Sequence, residues 1–142
     1  MKTTTFIILL MTGFSTITFA QEKKEKLKVP LAVEKAFQKS HPAIKAKWEE
    51  EDGKYEAGFQ QNGKKMSVLY SASGIVEENE TEIAINHLPS PVAQYTAQHK
   101  LGNIKEASKI TKSDGTVLYE AEVKGGDALF DTKGNFVKFQ KD

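Results

Sequence analysis

The 142-residue chain contains no cysteine and no arginine. Without cysteine there is no disulfide support, so a fold must rest on hydrophobic burial alone. Without arginine, all 20 basic residues are lysines, set against 19 acidic ones. A near-neutral chain lacking the bidentate phosphate-gripping side chain is not built for nucleic acid. Long apolar runs are scarce too. The single one, Phe6 to Phe19, is broken by Gly13 and falls short of the roughly 20 apolar residues a membrane span needs. Lys2 ahead of it and the small residues of Thr18-Phe19-Ala20 behind it fit a signal peptide, residues 1–20, cleaved after Ala20. The expected destination is the periplasm or the outside of the cell, with no membrane span after cleavage and no lipid-modified cysteine. In the remainder, Leu, Ile, Val and Phe make up roughly one residue in five, just above the composition of disordered chains. One domain with a thin core follows.

Residues 21–28 read as a charged tether. Val29-Pro30 then opens a helix whose apolar face holds Val33, Ala36 and Phe37, and His41-Pro42 stops it. Strands at 44–51 and 54–60 flank Asp52-Gly53, a pair suited to a tight hairpin turn. In the second of them Tyr55, Ala57 and Phe59 alternate with Lys54, Glu56 and Gln60, one face apolar and one wet. Gln61-Asn62-Gly63 turns into Met66, Val68 and Tyr70, and Ala72-Ser73-Gly74 leads to an acidic strand at 75–83. Ser90, as N-cap, and Pro91 begin a second helix with Val92, Tyr95, Thr96 and His99 on one face, ended by Gly102-Asn103. Strands follow at 104–112, at 117–123 after Asp114-Gly115, then around Leu129 after Gly125-Gly126, and at 136–140 after Thr132-Lys133-Gly134.

The two halves match in order. Pro30 to Val33 pairs with Pro89 to Val92, Asp52-Gly53 with Asp114-Gly115, and Tyr55-Glu56-Ala57 with Tyr119-Glu120-Ala121. Leu69-Tyr70-Ser71 with Gly74 pairs with Leu129-Phe130-Asp131 with Gly134, every spacing being about 60 residues. The expected architecture is α+β: one domain, 29–142, of two tandem repeats, 29–86 and 87–142. Each is a helix plus an antiparallel meander, with the helices on one face of a curved sheet and the other face open.

Asp-Gly, then Tyr119-Glu120-Ala121-Glu122-Val123, a glycine turn and Leu129-Phe130-Asp131 with Gly134, after a short helix, resembles the PepSY-like family of small exported bacterial proteins. Residues 52–74 echo it, and the pair resembles the tandem beta-lactamase-inhibitor-like arrangement. The resemblance implies an inhibitory or chaperone-like binding module, working through a concave sheet and hairpin loops, with no catalytic residues. The chain departs from the beta-lactamase inhibitor in lacking cysteine and in its shorter repeat.

The residues themselves offer no catalytic set. His41, His87 and His99 have no metal-ligand spacing, and neither a nucleophile elbow nor a glycine-rich phosphate loop is present. The expectation is no enzyme, no cofactor and no metal. Glu49-Glu50-Glu51-Asp52 and Glu77-Glu78-Asn79-Glu80 with Glu82 read as solvated strand faces, or as oxygen donors for calcium. Trp48 either packs under a helix with Ala46 or stands on the open face as an anchor for a partner, according to the register of its strand. The candidate partner-binding residues are Trp48, Asp52, Gly53, Asp114 and Gly115, and the expected partner is an exported protein. The rival is a small-ligand or calcium sensor.

Overall fold

A computed structural model describes residues 27–141. Residues 1–20, read above as a signal peptide, and most of the expected tether at 21–28 lie outside the described residues. In chain order the elements are α1 (Leu31–Ser40), β1 (Lys47–Glu51), β2 (Lys54–Gln61), β3 (Lys64–Ser71), β4 (Val76–Ile83), a short 3-10 turn (Ile85–His87), α2 (Ser90–Gln98), β5 (Glu106–Lys112), β6 (Val117–Val123), β7 (Gly126–Phe130) and β8 (Phe136–Lys141). The strands form one eight-stranded antiparallel sheet in sequence order.

Turn chemistry sets much of this path. Asp52-Gly53 and Asn62-Gly63 have φ of 52° and 76°, and of 53° and 75°, the positive angles that let two residues join twisted strands. Gly74 is held at φ +82° where a Cβ would stand 2.6 Å from the Ala32 carbonyl oxygen, so the β3–β4 turn closes against the first turn of α1. The β7–β8 turn does the same against α2: a Cβ on Gly134 would meet Pro91 Cδ at 2.9 Å and Pro89 Cβ at 3.0 Å.

Two clusters form the core. Val33 and Phe37 of α1 pack on Ala57, Phe59, Val68 and Tyr70, while Val92 of α2 packs on Ala121, Ala128 and Phe130. Each fully buried Val or Phe contributes about 1.5–3 kcal/mol over an exposed one. Register carries one cluster into the other across the sheet. Val68 lies beside Asn79, Asn79 beside Thr111, Thr111 beside Val117, and the alternate residues of β6, Tyr119 and Ala121, lie beside Phe130 and Ala128. Both helices therefore sit on the same face. The register slips by one residue between Leu69 and Tyr70 and again between Leu129 and Phe130.

Three expected boundaries move. Ala43, at φ 65°, delays β1 to Lys47, although Ile44 and Ala46 still pack against the α1 cluster. Likewise β5 begins at Glu106, with Ile104 packed on the α2 cluster. Ser90 is the first residue of α2 and makes no capping hydrogen bond, because Pro89 occupies the cap position.

Candidate functional site

The face opposite the helices is covered by no element among the described residues, yet its centre is not a solvated surface. Ile110, Leu118 and Leu129 form a cluster there, exposed by 6%, 8% and 3%, and Leu69 is buried nearby. Side chains on an uncovered face reach such burial only where the twisted sheet curls enough for neighbouring strands to shield one another. Against this apolar patch stand three carboxylates from three strands: Glu56 on β2, Glu80 on β4 and Glu120 on β6. Register places Glu80 beside Ile110, and Glu120 beside Leu129. With Ser67, Glu78, Lys112, Asp127, Lys138 and Gln140 they line a shallow depression of about 50 Å³.

The carboxylates are unequally supported. The Ser67 hydroxyl donates to Glu56 and the Ser108 hydroxyl to Glu80. Glu120 is 9% exposed, and its carboxyl is opposed by burial and by the charges of Glu80, Asp127, Glu56 and Glu122, with no hydrogen bond in its favour. Burial therefore raises all three above the ordinary carboxylate range, Glu80 to about 7 and Glu120 to about 9. Glu80 and Glu120 titrate as a pair. The charge of Glu80 helps to hold the proton on Glu120. Among the lysines nearby, Lys112 pairs with Glu78 at 2.7 Å and Lys54 with Glu77 at 2.5 Å, Lys65 pairs with Glu106 farther along the face, and Lys138 lines the depression beside Leu129.

The residues singled out from sequence lie elsewhere. Trp48 is on the helix side of β1, its ring 5.4 Å from Phe37 in an edge-on contact and 6.2 Å from Tyr70. Its strand pairing sets it beside Ala57, so the reading of Trp48 as an open-face anchor is corrected. Asp52-Gly53 and Asp114-Gly115 turn at the same end of the sheet, with β3 and β4 between their hairpins. The Gly53 N–H donates to Glu50 Oε1 at 2.9 Å, and Asp114 Oδ1 accepts from the Thr116 N–H at 2.8 Å, a bond that holds the Asp114 carboxyl below its ordinary range. Asp114-Gly115 sits in a four-residue loop rather than a two-residue one, because β5 ends at Lys112 and β6 begins at Val117.

Sequence reading passed over Glu56 and Glu120 as the wet half of an alternating strand. A signal was present: both occupy the middle of the repeated Tyr-Glu-Ala, and Ile110, Leu118 and Leu129 share their side. As for a cation, no group of three or more His, Asp or Glu among the described residues is arranged to hold a metal ion.

No protein-family model and no curated protein matches this sequence. Solved structures do match in shape. A Bacteroides eggerthii protein described as "putative periplasmic" superposes with a TM-score of 0.68 at 18% identity, over 80% of this chain and 89% of that one. A DUF2874 family protein from Bacteroides uniformis gives 0.65 at 18% identity, over 79% and 88%. A BLIP-like protein from Bacteroides fragilis gives 0.59 at 21% identity, over 82% and 88%. The fold is shared with these proteins. Their low identity leaves chemistry to be argued from the site.

Proposed function

We propose that this chain is an exported module that binds another exported protein through the open face of its sheet. The observation that carries the reading is the apolar patch of Ile110, Leu118 and Leu129, framed by Glu56, Glu80 and Glu120, on a face that no element among the described residues covers. A depression of about 50 Å³ takes a few waters or the end of one side chain, far below the roughly 300–1,000 Å³ of small-molecule pockets, which favours a broad partner over a soluble ligand. The fold shared with a BLIP-like protein and the reading of residues 1–20 as a cleaved signal point the same way. Binding is the whole activity in this reading. His99 Nδ1 lies 2.9 Å from the Tyr95 carbonyl on the helix side, away from the open face.

The reading includes descent from one duplicated, PepSY-like unit. Helix and four strands occur twice, the register slips after Leu69 and again after Leu129, and Gly74 and Gly134 each seat a turn on a helix N-terminus.

The test is retention of partners from the exporting cell's periplasm or medium on the immobilised protein, compared across variants. Ile110→Asp and Leu118→Asp should abolish retention of a defined protein that Leu31→Asp, on the helix side, leaves intact. Equal retention by all three would remove the open face from the reading. Calcium at millimolar concentration should leave the melting temperature unchanged, since a ligand that binds only the folded state raises it.

A further inference from the structure

We infer that the depression at Glu120 is a socket for one cationic side chain, an arginine, carried by the partner protein. The inference rests on the docking reading and says what the partner must present. Three features of the site converge on it.

First, Glu120 is a carboxyl more than nine-tenths buried, it lines the depression, and no hydrogen bond reaches it; of the two lysines in the lining, Lys112 is paired with Glu78, and Lys138 stands beside Leu129, two strands from Glu120. A buried carboxyl in that state is stabilised by any donor that enters. Second, the depression is two-sided in chemistry. Ile110, Leu118 and Leu129 give an apolar wall for a methylene stem, and Glu56, Glu80 and Glu120 give acceptors for its head. A long side chain with an apolar stem and a charged tip fits both. Third, the acceptors come from three strands. A planar guanidinium with five donors in a fork suits carboxylates that converge on one depression from alternate strands, and it is more weakly hydrated than an ammonium, so it enters a dry site more readily. The chain itself carries no arginine to fill the place.

Seating a cation requires the carboxyls to be charged. The groups that face Glu120 across the sheet are Glu56 from β2, Glu78 and Glu80 from β4, Lys112 from β5, and Asp127 and Lys138 from β7 and β8, with Glu122 on its own strand. The acids outnumber the lysines, and each bound guanidinium displaces protons. Affinity should therefore rise with pH between about 6 and 9.

The experiment is an NMR titration of the purified exported protein with the blocked peptide Ac-Gly-Arg-Gly-NH2, alongside the same peptide with citrulline, a neutral near-isostere. The expected result is saturable shifts confined to the methyls of Ile110, Leu118 and Leu129 and the carboxyls of Glu56, Glu80 and Glu120, with arginine only. Affinity should fall at least about tenfold in Glu120→Gln, since hydrogen bonds to charged groups are worth that much. Glu80→Gln is the second variant and should weaken binding in the same direction. Citrulline binding as well as arginine, shifts spread elsewhere, or an unchanged affinity in both variants would overturn the socket. If the socket fails while partner retention still depends on Ile110 and Leu118, docking by this face stands without it; if both fail, the docking reading falls as well.

Discussion

At the scale of single residues the core has a flaw that the second half of the chain lacks. Tyr70 is completely buried, burial raises its hydroxyl pKa, and the hydroxyl has no hydrogen-bond partner. The matching position on β7 is Phe130, also completely buried. An unpaired buried hydroxyl costs free energy that a phenyl ring of the same outline does not. Tyr70→Phe should therefore raise stability by about 1 kcal/mol in urea denaturation, and a loss instead would mean that the hydroxyl holds a bridging water. Trp48, 6.2 Å from that ring, offers a spectroscopic counterpart. As the sole tryptophan, packed on Phe37 beneath α1, it should shift its fluorescence to the red on unfolding and leave it unchanged when a partner docks on the opposite face. A shift on docking would place the partner on the helix side.

Among the elements, the turns divide into those that only reverse the chain and those that also seat a helix. Gly115 has φ +86° with open space around a built Cβ, whereas Gly74 has φ +82° with the Ala32 carbonyl oxygen 2.6 Å away. Alanine at Gly115 meets only the left-handed backbone penalty, about 1 kcal/mol. At Gly74 the same penalty is joined by a clash with backbone that cannot rotate aside, so Gly74→Ala should cost more than about 2 kcal/mol. Denaturation midpoints of the two variants check the order, and equal losses would mean that α1 shifts freely on the sheet. Such turns are also why so much of the fold was legible. Asp-Gly and Asn-Gly pairs, proline at helix starts and period-two alternation mark the helices, the strands and their faces within a few residues. The socket was not legible for a related reason. Alternation says which side Glu56 and Glu120 take, but whether that side is wet depends on how far the sheet curls, which brings Leu118 of β6 and Leu129 of β7 around the carboxyls. Trp48 was ambiguous because a one-residue change in strand register reverses its face.

Taken as a whole, the molecule sets its stability against its open face, and pH exposes the conflict. Glu80 and Glu120 ionise in the folded protein at about 7 and about 9, against 4.5 for an unhindered Glu. The folded state thus binds more protons than the unfolded chain between those limits, and stability must decline as pH rises. The protonated carboxyls cost nothing below pH 4.5, where both states hold their protons; the loss sets in above 4.5 as the unfolded chain ionises, is steepest up to about 7, and continues toward about 9. Glu56, raised by burial as well, adds to the same decline, and the remaining perturbed groups act outside this window. Asp114 and Asp131, held below the usual range by hydrogen bonds, matter only in acid, and Lys47 and Lys65, raised by Glu49 and Glu106, only above pH 10. The melting temperature should therefore fall measurably from pH 5 to pH 9. Glu120→Gln, which keeps the shape and removes the titration, should flatten that slope and melt above the parent at pH 9. A slope unchanged by this substitution would assign the decline to other groups. The same linkage ties stability to docking: a partner that seats a cation against Glu80 and Glu120 removes the penalty, so the complex should lose less of its melting temperature between pH 5 and pH 9 than the free protein does.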